Sequence, residues 1–258
     1  MSFFKKVLSS VGIGGAKVDT VLSQKSVRIG EDLEGVVNIV GGNVEQTISR
    51  IEVELKTEYL KEIDDSKVRC TANLLRLVVA RDLVIAPNER KQIPFGFTVP
   101  KHTPVSMSRR NVWVETELEI PLALDPEDRD YIDVRPSRVM DVVLDAVINV
   151  LGFRLREVEC EAGHLRGGHG EFTQEFEFVP QSAFRGKLDE LEITFLPSDD
   201  GIMIYMQVDR RVRGLKSFLQ EAAGLDESYL RVGISEYDAS QGSNHVARML
   251  EDVISRYC

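Results

Sequence analysis

The sequence predicts a mainly β protein: two antiparallel β-sandwich domains with a few added helices. Three observations lead there. Residues 51–59 alternate strictly, with Ile51, Val53, Leu55, Thr57 and Tyr59 on one face and Glu52, Glu54, Lys56 and Glu58 on the other. A period of two over such a run is a strand with one wet face. From Lys17 to Leu124, strand-like runs recur at short intervals with turn residues between them rather than helical patterns, which is the spacing of a sandwich. Finally, 258 residues suit two domains of about 125 better than one small domain.

In chain order, Phe3–Val11 reads as a short amphipathic helix. The stretch Met1–Ala16 resembles an export signal only vaguely, because Ser9, Ser10, Gly12, Gly14 and Gly15 dilute its apolar run. One such helix supports at most peripheral membrane contact. Val18–Leu22 alternates, and Arg28–Asp32 turns the chain into Leu33–Val40. Gly41-Gly42-Asn43 supplies residues that tolerate positive φ. Beyond residue 59, strands are expected near Leu74–Val79, Leu83–Ile85, Gln92–Val99 and Asn111–Leu124, punctuated by Pro87-Asn88-Glu89 and Pro100–Pro104.

The charged, proline-bearing run Asp125–Asp130 reads as a connection, which places the domains at residues 1–125 and 126–258. Pro136-Ser137 opens the most apolar helix, Arg138–Leu151. Its residues Asp141, Asp145 and Asn149 recur every fourth position as one polar stripe. The rest of its circumference is therefore buried, either between two sheets or against another subunit. Strands return at Phe153–Cys160, Glu171–Val179, Leu191–Leu196, Ile202–Val208 and Leu230–Ser235. Short helices are expected at Leu215–Ala222, ended by Gly224, and at Asn244–Tyr257, where Val246, Leu250, Val253 and Tyr257 keep helical spacing.

Charge and cysteine content narrow the function classes. Residues 1–125 hold 17 basic and 17 acidic side chains, and residues 126–258 hold 15 and 25, so the second half carries the whole net charge of −10. Such a surface repels phosphate backbones, and nucleic acid is not an expected partner. Cys70, Cys160 and Cys258 are odd in number and widely spaced. They fit a reducing, cytoplasmic compartment rather than a disulfide framework. No apolar run of about 18 residues is present to span a membrane.

Motifs that carry chemistry are sparse. His164, His169 and Glu171, with Cys160 just upstream, are the one cluster of metal-type ligands, but they sit in a glycine-rich connection without CxxC or HExxH spacing. A hairpin loop is the plainer reading. There is no nucleophile elbow and no phosphate-cradling loop. The histidines at 102, 164, 169 and 245 neither support nor exclude a triad. The pairs Asp64/Asp65 and Asp199/Asp200 fall at turns. No catalytic, cofactor or metal residue is assigned, and an enzyme is not expected.

Two features suggest recognition instead. If Val112, Val114, Thr116, Leu118 and Ile120 face the core, Trp113 falls on the outer face with Glu115, Glu117 and Glu119. There it is either a partner contact or covered by a neighbouring loop or domain. Arg210, Arg211 and Arg213 form a basic knot in the acidic half. They either pair internally or receive a partner's carboxylates.

Several segments in order carry a resemblance. Gly15–Leu22, Gly41–Ile48 and Ile51–Leu55, then Ile93–Pro100, Pro104–Ser106 and Val112-Trp113-Val114, are similar to the strands of an arrestin-like domain. Together with Leu124–Ile132, Leu151–Glu157, Gln174–Phe178, Phe184–Gly186, Leu188–Glu192 and Val208–Arg211, they resemble the bacterial stage-zero sporulation-control M protein (SpoOM) family. The resemblance implies two arrestin-like β-sandwiches in a cytoplasmic, non-enzymatic adaptor that regulates sporulation or cell-cycle decisions through protein partners. It supplies no catalytic or ligand residue, and fold likeness does not transfer arrestin partners. Two other readings stay open: a homodimeric scaffold at the membrane or cytoskeleton, and a metal-dependent hydrolase at the His164/His169 loop.

Overall fold

The computed structural model describes residues 15–64, 66–107, 111–121, 125–163, 170–210 and 230–257. They form two compact units. The first runs to Glu58 and resumes over Cys70–Arg135; the second takes Tyr59–Arg69 and everything from Pro136 onward. The protein is mainly β with a few helices, and no described helix is long and apolar enough to cross a membrane.

The first unit contains β1 (Lys17–Leu22), β2 (Ser26–Arg28), β3 (Asp32–Val40), most of β4 (Gln46–Ile63) and of β5 (Ser66–Ile85), β6 (Arg90–Thr98), β7 (Val112–Glu119) and β8 (Glu127–Arg135). One sheet has the order β1-β3-β6, all antiparallel. The other runs β5-β4-β7-β8-β2, closing with a parallel β8–β2 pair. Alternation puts Leu33, Val37 and Ile39 of the first sheet, and Val53, Leu55, Leu118, Ile132 and Val134 of the second, at no more than 1% exposure. These apolar faces supply the main driving force for the unit. Polar ties join the sheets: the Thr20 hydroxyl donates to that of Thr116 at 2.8 Å, and the Thr20 N–H donates to Asp128 at 2.7 Å.

The second unit holds β9 (Phe153–Ala162), β10 (Phe172–Pro180), β11 (Leu188–Ser198), β12 (Gly201–Arg210) and β13 (Leu230–Ser235), antiparallel neighbours in that order. The tip of the β4–β5 hairpin joins this unit. Leu60 bridges Glu161, and Tyr59 stacks on Phe172 at 5.6 Å. Helix α1 (Arg138–Asp145) is capped by Ser137, whose hydroxyl accepts from the Met140 N–H at 3.3 Å. It continues through one π-helical stretch, Ala146–Val150. A short α2 (Glu236–Ser240) leads into α3 (Ser243–Ile254). Val139, Met140, Val143 and Leu144 of α1 and Val246, Leu250 and Ile254 of α3 are buried where the helices pack on each other and on β12 and β13.

Several elements differ from the sequence expectation. Asp125–Asp130 is not a connection: Glu127–Arg135 is a strand paired with β7, and the chain leaves the first unit at Arg135/Pro136 rather than at 125/126. Its charges are accommodated by specific contacts, Asp128 with the β1 backbone and Arg129 with Glu115. Leu74–Val79 and Leu83–Ile85 are one strand, with Asp82 at φ 50° inside it. The apolar helix finds its cover in α3, β9 and β12 of its own unit. The expected helices Phe3–Val11 and Leu215–Ala222, with the Gly224 cap, lie outside the described residues.

Gly41 tests this packing. A Cβ there would stand 2.1 Å from the Ala86 carbonyl oxygen, whereas one at Gly96 would meet nothing closer than Glu34 Cγ at 3.4 Å. In denaturant titrations, Gly41→Ala is expected to lose at least about 1–3 kcal/mol and Gly96→Ala to change by no more than about 0.5 kcal/mol.

Candidate functional site

Two clusters of charged side chains stand on the sheets. The first follows from the register of β4 and β7, which sets Lys56 opposite Trp113, Glu54 opposite Glu115 and Glu52 opposite Glu117. Residues two apart share a face, so these side chains fall together. Around Trp113 the face is not wet, although Glu117 at its margin stays exposed. Trp113 is 2% exposed, and Glu52, Glu54 and Glu115 are 7%, 5% and 9% exposed.

A lattice of ion pairs makes that burial tolerable. The Trp113 indole N–H donates to Glu115 at 2.9 Å. Arg129 lays its guanidinium 4.8 Å from the indole centre and donates to the same carboxylate at 2.7 and 3.0 Å. The Tyr131 ring packs 5.7 Å from the indole. Lys56 bridges Glu115 and Glu54, and Arg76 reaches Glu54 at 2.7 Å and Glu52 at 3.7 Å.

Burial pushes the Glu54 and Glu115 carboxyls up, but their partners reverse it. Lys56, Asn73 and Arg76 act on Glu54, and Lys56, Trp113 and Arg129 act on Glu115, leaving both below the ordinary carboxylate value. Burial also opposes the charge on Lys56, and the two glutamates outweigh it.

Trp113 is therefore not an exposed contact. The alternation placed it correctly with Glu115 and Glu117, but ion pairing dries the part of that face around Trp113 and Glu115 while Glu117 and Glu119 stay exposed. For the same reason Glu52 and Glu54 are not on a wet face of β4. Arg210 ends β12 opposite Leu188; Arg211 and Arg213 lie outside the described residues, as do His164 and His169. Cys160 is buried and Glu171 exposed.

The second cluster was not anticipated. Across the second unit's sheet, Glu157 faces Glu177, Glu159 faces Glu175, and Glu177 faces Glu192. Like charges in opposed positions destabilise a sheet. Arg156 relieves part of this, pairing with Glu177 at 2.6 Å and Glu190 at 2.9 Å, and Lys67 holds Glu161 at 2.8 Å. Carboxylate oxygens of Glu177, Glu190 and Glu192 lie within 4.8 Å of one another, a donor set that suits a hard cation, although acidic groups of this kind are common without one. Burial, then Glu175, Glu190 and Glu177, push Glu192 up to about 7. The Glu-x-Glu spacing at 157/159, 175/177 and 190/192 was the readable signal.

These clusters predict opposite pH responses. Trp113→Ala should lower stability by about 3–5 kcal/mol, and Lys56→Met by a similar amount, about 3–5 kcal/mol, because two buried carboxylates lose their shared cation. Glu54 and Glu115 ionise more readily in the folded chain than in the unfolded one. Their contribution is present at neutral pH and is lost as pH falls below the ordinary value of 4.5. Glu192 works the other way: the folded chain holds its proton longer, so stability declines as pH rises from 4.5 to about 7. Guanidinium midpoints across this range should show that decline in the parent protein and a flatter profile in Glu192→Gln.

Comparison with known proteins places this fold. The profile of the family described as "SpoOM protein" matches residues 4–212. The chain is 40% identical over 258 residues, all of this chain and 99% of the relative, to a Bacillus subtilis (strain 168) protein named "Sporulation-control protein spo0M". Its structure superposes with a TM-score of 0.86 on the crystal structure of Spo0M, sporulation control protein, from Bacillus subtilis, at 37% identity, covering 95% of this chain and all of that one. On this full-length agreement of sequence and fold, the chain belongs to the SpoOM protein family.

Proposed function

We propose that this chain is a cytoplasmic, non-enzymatic regulator of sporulation initiation or of cell-cycle decisions, acting as an arrestin-like adaptor that binds other proteins. The sporulation assignment leans on the name carried by its Bacillus subtilis relative. The adaptor assignment leans on one feature of the fold: long strands with an open edge. Among the described residues β1 and β6 flank the three-stranded sheet, β5 has β4 as its sole strand neighbour, and β13 ends the second sheet. Such edges carry rows of free N–H and C=O groups that accept an added strand. Grooves of about 610 and 660 Å³ on the outer face of the three-stranded sheet offer side-chain seats beside those edges, lined in part by Lys17, Asn38 and Arg90 and by Val21, Val36 and Pro94.

The test is cross-linking in living cells, followed by affinity capture and mass spectrometry. A reproducible set of proteins cross-linked through peptides of these edge strands is the expected result. Recovery of the chain cross-linked only to itself would overturn the adaptor reading in favour of a homodimeric scaffold.

A further inference from the structure

The outer face of the β1-β3-β6 sheet stays uncovered among the described residues. Its side chains form rows across the three strands: Lys17, Val40 and Arg90; then Asp19, Asn38 and Gln92; then Val21, Val36 and Pro94. The members of these rows on β1 and β6 are all exposed, Val21 at 54%. Two grooves follow the rows, one past Lys17, Asn38 and Arg90 and the other past Val21, Val36 and Pro94. A contiguous apolar row on a sheet is ordinarily buried against another element. The two outer strands stand about 10 Å apart, which is the width of one α-helix.

The chain enters this sheet at a fixed point. Ala16 is 5% exposed, and its N–H donates to the Gln46 side chain at 2.8 Å, so β1 begins at the row of Lys17. The residues before Gly15 lie outside the described part, but their sequence has the pattern of an amphipathic helix. On helical spacing Phe3, Phe4, Val7, Leu8 and Val11 share one side, Ser9 and Ser10 lie opposite, and Lys5 and Lys6 flank the apolar stripe. Gly12, Gly14 and Gly15 then allow the chain to reverse direction. Phe3–Val11 measures about 13 Å as a helix, matching a step of about 13 Å along β3 from Val40 to Val36. The charges agree as well. A helix running back against β1 ends, at its negative pole, beside Lys17 and Arg90, and brings Lys5 and Lys6 level with Asp19.

We propose that the outer face of the β1-β3-β6 sheet receives the chain's own N-terminal segment. Phe3–Val11 lies on it as a helix antiparallel to β1, with its apolar stripe on Val21, Val36, Val40 and Pro94. The inference concerns the face rather than the edges and does not rest on the adaptor reading. A partner strand added at β1 or β6 would displace the segment to seat its side chains in the grooves.

The test uses the full chain with Cys70→Ser, Cys258→Ser and Ser9→Cys, and a nitroxide attached at position 9. Paramagnetic broadening of the Val21, Val36 and Val40 methyl signals is expected, with Val68 and Val150 of the second unit unaffected. Val36→Arg, on the exposed face, should remove the broadening at Val21 and Val40. Phe4→Asp, which alters no described residue, should do the same. Trypsin should cut after Lys5 and Lys6 roughly three- to tenfold faster in either variant than in the parent, because cleavage follows the population of the open form.

Equal broadening of both sets of valines, or none, would overturn the proposal. Broadening carried from nitroxide-labelled chains to isotope-labelled ones in a mixture would overturn it in favour of a second copy on this face. Slow cleavage at Lys5 and Lys6 only when phosphatidylglycerol vesicles are added would overturn it in favour of a membrane surface. Each of these outcomes leaves the adaptor reading standing.

Discussion

The first unit depends on a constraint at β4: over Ile51–Leu55 this strand is buried on both faces although Glu52 and Glu54 lie within that stretch. Ile51, Val53 and Leu55 meet the apolar core, and Glu52 and Glu54 are nearly as well covered on the other side. Isolated carboxylates in that position would carry a desolvation penalty of several kcal/mol each. They are held because Lys56 of the same strand meets Glu54 and Arg76 of β5 reaches both, while Arg129 of β8 holds Glu115 beside them. The pairing is possible in one register only. A slip of one residue between β4 and β7 would turn the apolar set outward and leave the glutamates in the core. The ion lattice thus contributes little net stability for its size but fixes which strands are neighbours and how they align.

The second unit solves a different problem. Its sheet buries one face with aromatic contacts, Phe176 against Phe195 at 5.0 Å and Phe153 against Phe184 at 5.5 Å, and with the helices α1 and α3. Its outer face keeps glutamates on adjacent strands, only partly matched by Arg156 and Lys67. Burial, and then the like charges of Glu175, Glu190 and Glu177, push Glu192 up to about 7. Glu54 and Glu115 are therefore held ionised, whereas Glu192 is drawn towards protonation. The difference lies in how many cations the neighbouring strands bring.

Strand order also sorts surfaces available for recognition from those already used. β4, between β5 and β7, has both edges satisfied. Trp113 and its arginine, residue types common at interfaces, are consumed by internal contacts. What stays open among the described residues is backbone at the sheet margins.

Much of this was legible in the sequence. Period-two alternation located β1 at Val18–Leu22 and the heart of β4 at residues 51–59, and the four-residue recurrence of Asp141, Asp145 and Asn149 marked a polar stripe on the helix opened by Ser137, where Asp145 accepts from Asn149 at 2.6 Å. Ordered segments from Gly15 to Arg211 pointed to the SpoOM family before any coordinates. Alternation specifies which residues share a face because that is a property of one strand's backbone. It does not specify whether the face is wet, which depends on what other strands bring across it. So the sequence placed Trp113 on the right face but left open whether it was exposed or covered, and Asp125–Asp130 looked like a linker because its partners, Thr20 and Glu115, lie on other strands. The Glu177–Glu192 opposition became visible only once the register of β10 and β11 was known. Local periodicity determined the strands; long-range pairing decided which charges are buried, which are crowded together and which edges are left open.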